Sequence, residues 1–185
     1  MAKPTVTFYV FHGTDEFTRA EMLADFRRRL GPPDTVDLNT TVLNGRGLTL
    51  AELRHTCDAI PFLAEKRLVI VKGLLAAMGR RGNDLDDLGD YLLSLPETTR
   101  LVLVEEKPLR AGHPIVRLAQ GDDRGYVKQF TAPDARALPG WIKKRVSKHG
   151  GAIERQAAAR LAELIGADLR LLDQEIGRAS CRERV

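Results

Sequence analysis

Ile60-Pro61-Phe62-Leu63-Ala64-Glu65-Lys66-Arg67-Leu68-Val69-Ile70-Val71-Lys72 joins two unlike patterns. Leu68 to Val71 is an apolar run rich in β-branched residues, with Arg67 before it and Lys72-Gly73 after it. Such a run reads as a strand buried on both faces of a parallel sheet. Upstream, Ile60, Phe62 and Leu63 surround a proline, between a helical pattern and the strand. Proline restricts the residue before it and cannot continue a helix, so these side chains lie at a helix end or tight corner. Large apolar groups at a corner are either tucked under the sheet or offered to a partner. The residues leave both open.

Outward from this stretch, strands and helices alternate. Thr7 to His12 reads as the first strand. Asp15 to Leu30 reads as a helix, with Phe17, Ala20, Met22, Leu23, Phe26 and Leu30 near a 3.6-residue period, stopped by Gly31-Pro32-Pro33. Val36 to Leu43 alternates Val36, Leu38, Thr40 and Val42 and predicts a strand. Thr49 to Ala59 predicts a helix, with Thr49 as cap and Glu52 at capping-box spacing. Leu68 to Lys72 is the third strand. A helix follows from Asp84 to Ser94, after a loop whose Arg80 and Arg81 are expected in solvent. Leu101 to Glu105, a short helix from Pro114 to Gln120, and a strand from Tyr126 to Phe130 complete the series. Five strands with helical crossovers imply a parallel sheet covered on both faces.

From Pro133 the pattern becomes helical. Asp134 to His149, Glu154 to Ile165 and a segment capped by Asp168 predict a small three-helix bundle, with Trp141 and Ile142 in its core. The expected division is residues 1–132, 133–176 and a tail. Gly177 to Val185 breaks the amphipathic pattern that ends at Ile176 and resembles read-through from an expression vector. The tail carries three arginines and one glutamate, and without it the formal charge falls from +4 to +2. That charge gives no strong argument for nucleic acid.

The 185 residues suffice for one good core and a small satellite, and 43% hydrophobic with 29% charged residues describes an ordinary globular chain. No apolar run approaches the roughly 20 residues of a membrane span, and no signal-peptide core precedes the first strand. Cys57 and Cys181 form no framework, which suits a reducing cytoplasm. His12, His55, His113 and His149 are scattered without metal-ligand spacing, so no metal site is expected.

A parallel sheet followed by a helical bundle suggests a nucleotide hydrolase with a lid, and its parts can be checked singly. A phosphate loop of the form GxxxxGK[ST] should follow the first strand, because backbone N–H groups and a lysine must cradle the phosphates. Gly13-Thr14-Asp15-Glu16-Phe17-Thr18-Arg19 stands there instead, with one glycine, two acids and no lysine. A magnesium-holding strand should end in Asp-Glu. The third strand ends in Lys72-Gly73, the wrong sign. Leu101-Val102-Leu103-Val104-Glu105-Glu106 mimics that part, but without a phosphate loop the acids read as strand-end groups favouring solvent. The scaffold of an ATPase is present and its chemistry is missing.

Phe8-Tyr9-Val10-Phe11-His12-Gly13-Thr14-Asp15-Glu16-Phe17 and the Ile60–Val71 stretch together resemble the delta subunit of the bacterial clamp loader, part of the DNA polymerase III holoenzyme. Trp141-Ile142, Asp168-Leu169 and Glu175-Ile176 also fit, and the resemblance covers about residues 5 to 176. It implies an α/β, AAA+-like (P-loop NTPase-type) five-stranded parallel sheet with helices on both faces, then a small three-helix lid bundle. It implies no ATPase activity, no catalytic residue and no cofactor in this chain. The family's third domain, a helical collar that assembles the loader, is absent, and the Glu-Ile ending breaks at Gly177, as in a piece of a longer parent.

The resemblance further implies partners: the sliding clamp (beta subunit), the other loader subunits through the collar, and primed DNA inside the assembled loader. Delta binds the ring-shaped clamp and springs or traps it open for loading. The clamp-contacting side chains map to Ile60, Phe62 and Leu63, with the order Phe-Leu in place of Leu-Phe. His55, Glu65 and Lys66 are candidates for a polar rim. Lys143, Lys144 and Lys148, crowded with Arg145 on one predicted helix, are candidates to approach DNA phosphates. Arg27-Arg28-Arg29 reads as a solvated helix end that complements the dipole. Two rival classes stand beside this reading: an ATP-binding enzyme of P-loop type with a degenerate site, and a DNA-binding module of the same fold.

Overall fold

The computed structural model describes residues 5–78 and 82–182, and side chains except those of residues 82, 83 and 180–182. Arg80, Arg81 and the last three residues lie outside the described residues. The chain divides into two compact units, Met1–Phe130 and Thr131–Val185.

The first unit is a five-stranded, all-parallel sheet. Its strands are β1 (Phe8–Gly13), β2 (Thr40–Asn44), β3 (Arg67–Lys72), β4 (Thr99–Glu105) and β5 (Gly125–Phe130), in the order β2-β3-β4-β1-β5. Among the described residues six helices connect them: α1 (Glu16–Leu30), α2 (Pro33–Leu38), α3 (Leu50–Asp58), α4 (Leu74–Met78), α5 (Gly82–Ser94) and α6 (Pro114–Gly121).

Strand β3 shows why the sheet is covered twice. Val69 and Val71 enter one core with Leu53 of α3, Leu88 of α5 and Ile115 of α6. Leu68 and Ile70 enter a second core with Phe11, Val102 and Phe130, against Met22, Leu23 and Phe26 of α1. Alternate side chains of a strand point to opposite faces, so both faces must be apolar. On the α1 face the aromatic rings meet edge-on, with Tyr9 to Phe26 at 4.7 Å and Phe11 to Phe130 at 5.3 Å between centroids. Such pairs add ~0.5–1.5 kcal/mol each beyond area burial.

The predicted strand Val36–Leu43 is instead helix α2 followed by β2. Pro33 stands at the start of α2, where a missing N–H is harmless and a fixed φ suits the helix. The Thr40 hydroxyl caps the Val36 carbonyl at 2.7 Å. The alternation was accidental, since Val36 is buried while Leu38 and Val42 are exposed. Helix α4 was not anticipated. It follows Gly73, whose φ of 71° turns the chain sharply, and it buries Leu74 and Leu75.

The second unit contains α7 (Leu138–Lys148), α8 (Arg155–Ile165) and α9 (Leu169–Arg182). Helix α7 starts four residues later than the predicted Asp134, because Pro139 in its first turn clashes with any helical residue four positions back. Asp134 caps the preceding turn through the Ala137 N–H at 2.8 Å. Leu138, Ile142, Val146, Ala158, Leu169, Leu172 and Ile176 are buried, and Trp141 is half-buried. Asp173 accepts hydrogen bonds from Arg145 Nε and from His149 Nε2, the latter at 2.8 Å, which ties α9 to α7. The Arg145 hydrogen bond foremost, with His149, holds the Asp173 carboxyl below its ordinary range. The pattern break at Gly177 does not end α9. A helical glycine costs only about 1 kcal/mol, and a Cβ there would meet nothing closer than His149 at 3.6 Å.

Candidate functional site

The stretch after α3 is held to the amino-terminal edge of the sheet by its backbone, while its apolar side chains point outward. Helix α3 is fixed at its start by a capping box, the Thr49 hydroxyl accepting the Glu52 N–H at 3.2 Å and Glu52 accepting the Thr49 N–H at 2.8 Å. It stops at Ala59, which is extended ahead of Pro61. Its last carbonyls, which lack intrahelical donors, are taken up elsewhere. Thr99 donates to the Cys57 carbonyl at 2.6 Å and Arg67 to the Ala59 carbonyl at 2.9 Å. The Tyr91 hydroxyl donates to Asp58 at 2.7 Å, and the Arg54 guanidinium lies 5.1 Å over the Tyr91 ring. Burial pushes the Cys57 thiol up to about 12, so this cysteine is a core side chain rather than a nucleophile.

Beyond Pro61 the anchor is Asn39, which accepts the Phe62 N–H at 2.6 Å and donates to the Phe62 carbonyl at 2.7 Å. Leu63 then takes a left-handed φ of 50°. On this tethered turn Ile60 is 90% exposed, Phe62 60% and Leu63 84%. Isolated exposed apolar residues are ordinary. Three within four residues, on a turn held through both backbone groups of Phe62, form a patch of the kind that marks a contact surface. Of the two alternatives left by the sequence, the structure takes the outward one. His55 and Glu65 beside the turn are exposed and Lys66 is half-buried. Leu38, at the end of α2 next to Asn39, is also exposed. Asn39 and Leu38 were missed by sequence reading, because a bond across 23 residues leaves no local signal.

At the opposite, carboxyl-terminal edge of the strands, where open α/β sheets hold their ligands, the turn from β1 into α1 is closed on itself, while a cavity of about 960 Å³ lies beside it, lined among others by Glu16, Arg19, Lys72, Glu105 and Lys107. Only Thr14 and Asp15 separate β1 from α1. Gly13 approaches β5 so closely that a Cβ would lie 2.1 Å from the Phe130 carbonyl oxygen. The Asp15 carboxylate accepts the Thr18 N–H at 2.9 Å, and Glu16 adds a second acid in the first turn. Buried Arg19 donates to the Gly13 carbonyl at 2.6 Å. The anion-attracting end of α1 is therefore occupied by the chain's own carboxylates. Glu105, expected in solvent, is only 3% exposed and accepts the Leu75 N–H at 2.7 Å. Hydrogen bonds from the start of α4 offset its desolvation in part, and burial holds its carboxyl above the ordinary range. Glu106 is exposed. Glu105 thus anchors α4 in the arrangement seen.

Lys143, Lys144 and Lys148 are exposed on α7, while Arg145 turns inward to Asp173. Arg27 pairs with Asp37 and Arg28 with Asp25 at the surface. Among the described residues, no group of three or more His, Cys, Asp or Glu side chains is placed to hold a metal ion, and no helix is long and apolar enough to cross a membrane.

Residues 9–124 match the family model described as DNA polymerase III, delta subunit. The chain belongs to that family. Its fold is the AAA+-like α/β fold of clamp-loader delta: the Bacillus subtilis DNA clamp loader delta protein (YqeN) superposes with a TM-score of 0.80 at 20% identity, over 96% of this chain and 53% of that one. The chain thus spans about half the length of that delta protein. Domain III of the Thermotoga maritima replication initiation protein DnaA aligns at a TM-score of 0.45 and 12% identity, over 92% of this chain and 74% of that one. No curated protein matches the chain. The delta family model covers Tyr9 to Phe17 and the Ile60–Val71 stretch, two of the stretches that carried the resemblance.

Proposed function

We propose that this chain is the clamp-docking part of a delta subunit, which binds the ring-shaped sliding clamp and opens it for loading onto primed DNA without hydrolysing ATP itself. The observation that carries the reading is the exposed trio Ile60, Phe62 and Leu63 on a turn whose backbone is fixed from below. Burying such side chains is worth ~1.5–3 kcal/mol each by area. Part of that is offset by lost rigid-body freedom, so a few fixed anchors with a polar rim suit tight binding. His55, Glu65 and Lys66 are the proposed rim. The closed turn at Gly13 and the carboxylates of Asp15 and Glu16 argue against a bound triphosphate and favour docking over the ATP-binding alternative.

Within an assembled loader, Lys143, Lys144 and Lys148 are the proposed approach to primed DNA, and the other loader subunits are the remaining partners. These belong to the replication machinery of the bacterial cytoplasm. Ring opening requires a ligand with more affinity for the open interface than for the closed one. The test is to titrate the chain against a cognate clamp ring and against a clamp variant made monomeric at its own subunit interface. Tighter binding to the monomeric form is expected. Equal affinity for both forms would leave docking without opening, and absence of binding to either would remove the proposal.

A further inference from the structure

Asn39 stands one residue past α2 and is 4% exposed. Its side-chain amide uses three of its four hydrogen-bonding sites. The oxygen accepts the Phe62 N–H at 2.6 Å, and the nitrogen donates to the Phe62 carbonyl at 2.7 Å and to the Thr35 carbonyl at 2.8 Å. Its main-chain carbonyl accepts the Leu68 N–H at 2.8 Å, so the residue itself is held between α2 and the start of β3. One side chain therefore pairs with both backbone groups of Phe62, as a neighbouring strand would.

Among the described residues, no other side chain hydrogen-bonds the backbone of residues 60–63. Ile60, Phe62 and Leu63 are exposed and bury little that would hold the segment in place. Leu63 also stands at φ 50°, a region that a side-chain-bearing residue keeps only when its surroundings impose it. The polar tethers upstream, from Thr99, Tyr91 and Arg67, fix Cys57, Asp58 and Ala59 and end before the proline.

We infer that Asn39 is a positioning residue for the docking turn: its amide holds the Phe62 backbone so that Phe62 and Leu63 meet the clamp already in one conformation. This rests on the docking reading above. An anchor ordered before contact loses less freedom on binding than one ordered by it. Neither close relative of the side chain can replace it. Aspartate keeps the shape but sets a carboxylate oxygen against the Phe62 and Thr35 carbonyls, and alanine leaves the Phe62 groups unpaired.

The test combines Asn39→Asp and Asn39→Ala with Phe62→Ala, reading clamp affinity by calorimetry, thermal stability, and the hydrogen exchange of the Phe62 amide in the free chain. Both Asn39 variants are expected to bind the clamp about tenfold or more weakly, equivalent to about 1.4 kcal/mol. Exchange should accelerate most at Phe62, and adding an Asn39 change to Phe62→Ala should weaken binding less than it does alone. If Phe62→Ala binds as well as wild type, the docking reading itself fails. If Phe62→Ala loses affinity while folded Asn39 variants keep it, docking stands and the positioning role is overturned. If both Asn39 variants fail to fold, a Phe62 amide in the wild type exchanging as fast as an unstructured one overturns the inference, and a protected one supports it.

Discussion

The two edges of one sheet are built oppositely. At the carboxyl ends of the strands, three polar groups are turned inward and consumed: Asp15 on the start of α1, Arg19 on the Gly13 carbonyl, Glu105 on the start of α4. At the amino ends, polar groups are also consumed, by Asn39, Thr99 and Arg67, but there the pairing pushes apolar side chains into solvent. Satisfying a backbone internally can therefore close a site or build one. The difference lies in whether the side chains on that backbone are acids facing inward or hydrophobes facing outward.

The contrast predicts the largest effect at the proposed docking edge. Changing Ile60, Phe62 and Leu63 together to alanine should weaken clamp binding by at least about a thousandfold, three anchors at ~1.5–3 kcal/mol each. The melting temperature should stay within about a degree or two, because the lost surface is already exposed. A large fall in melting temperature would make the trio part of the core and erase the comparison. At the closed β1–α1 turn, Gly13→Ala should destabilise the first unit by about 3 kcal/mol or more in chemical denaturation, since the new Cβ meets the Phe130 carbonyl at a positive φ. A neutral result would mean that the β1–α1 turn can open after all.

Glu105 separates anchoring from acidity. Glu105→Ala, which leaves the start of α4 without its acceptor, should cost about 1–3 kcal/mol, whereas Glu105→Gln keeps an acceptor oxygen. Because burial raises the folded-state pKa of this carboxyl, its protonated form favours the folded chain. That contribution is full below the unfolded pKa and lost as pH rises through the folded one. The stability of Glu105→Gln relative to wild type should therefore improve as pH rises through that window and then level off, in melting curves taken across pH. The smallest effect belongs to Thr49→Ala, which should cost about 1 kcal/mol through loss of the capping box and leave clamp affinity unchanged, because the far end of α3 carries the turn.

Much of the scaffold was legible in the residues. The β-branched run at Leu68–Val71 marked a strand buried on both faces, and Thr49 with Glu52 marked a helix start. Long, strongly periodic segments speak through local chemistry. Helix α2 did not, because Pro32-Pro33 signals a stop for one helix and a start for the next, and only the stop was read. Glu105 was misplaced because its partner, the start of α4, lies 30 residues away. The apolar turn was visible, while the direction of its side chains and the role of Asn39 depend on strand order that no short window contains.

The most direct measurement is a calorimetric titration of the chain into the cognate sliding clamp, beside the folded Ile60/Phe62/Leu63→Ala variant. The account predicts saturable binding by the wild type and none detectable by the variant at the same concentrations. Equal binding by both, or no binding by a well-folded wild type, would contradict it.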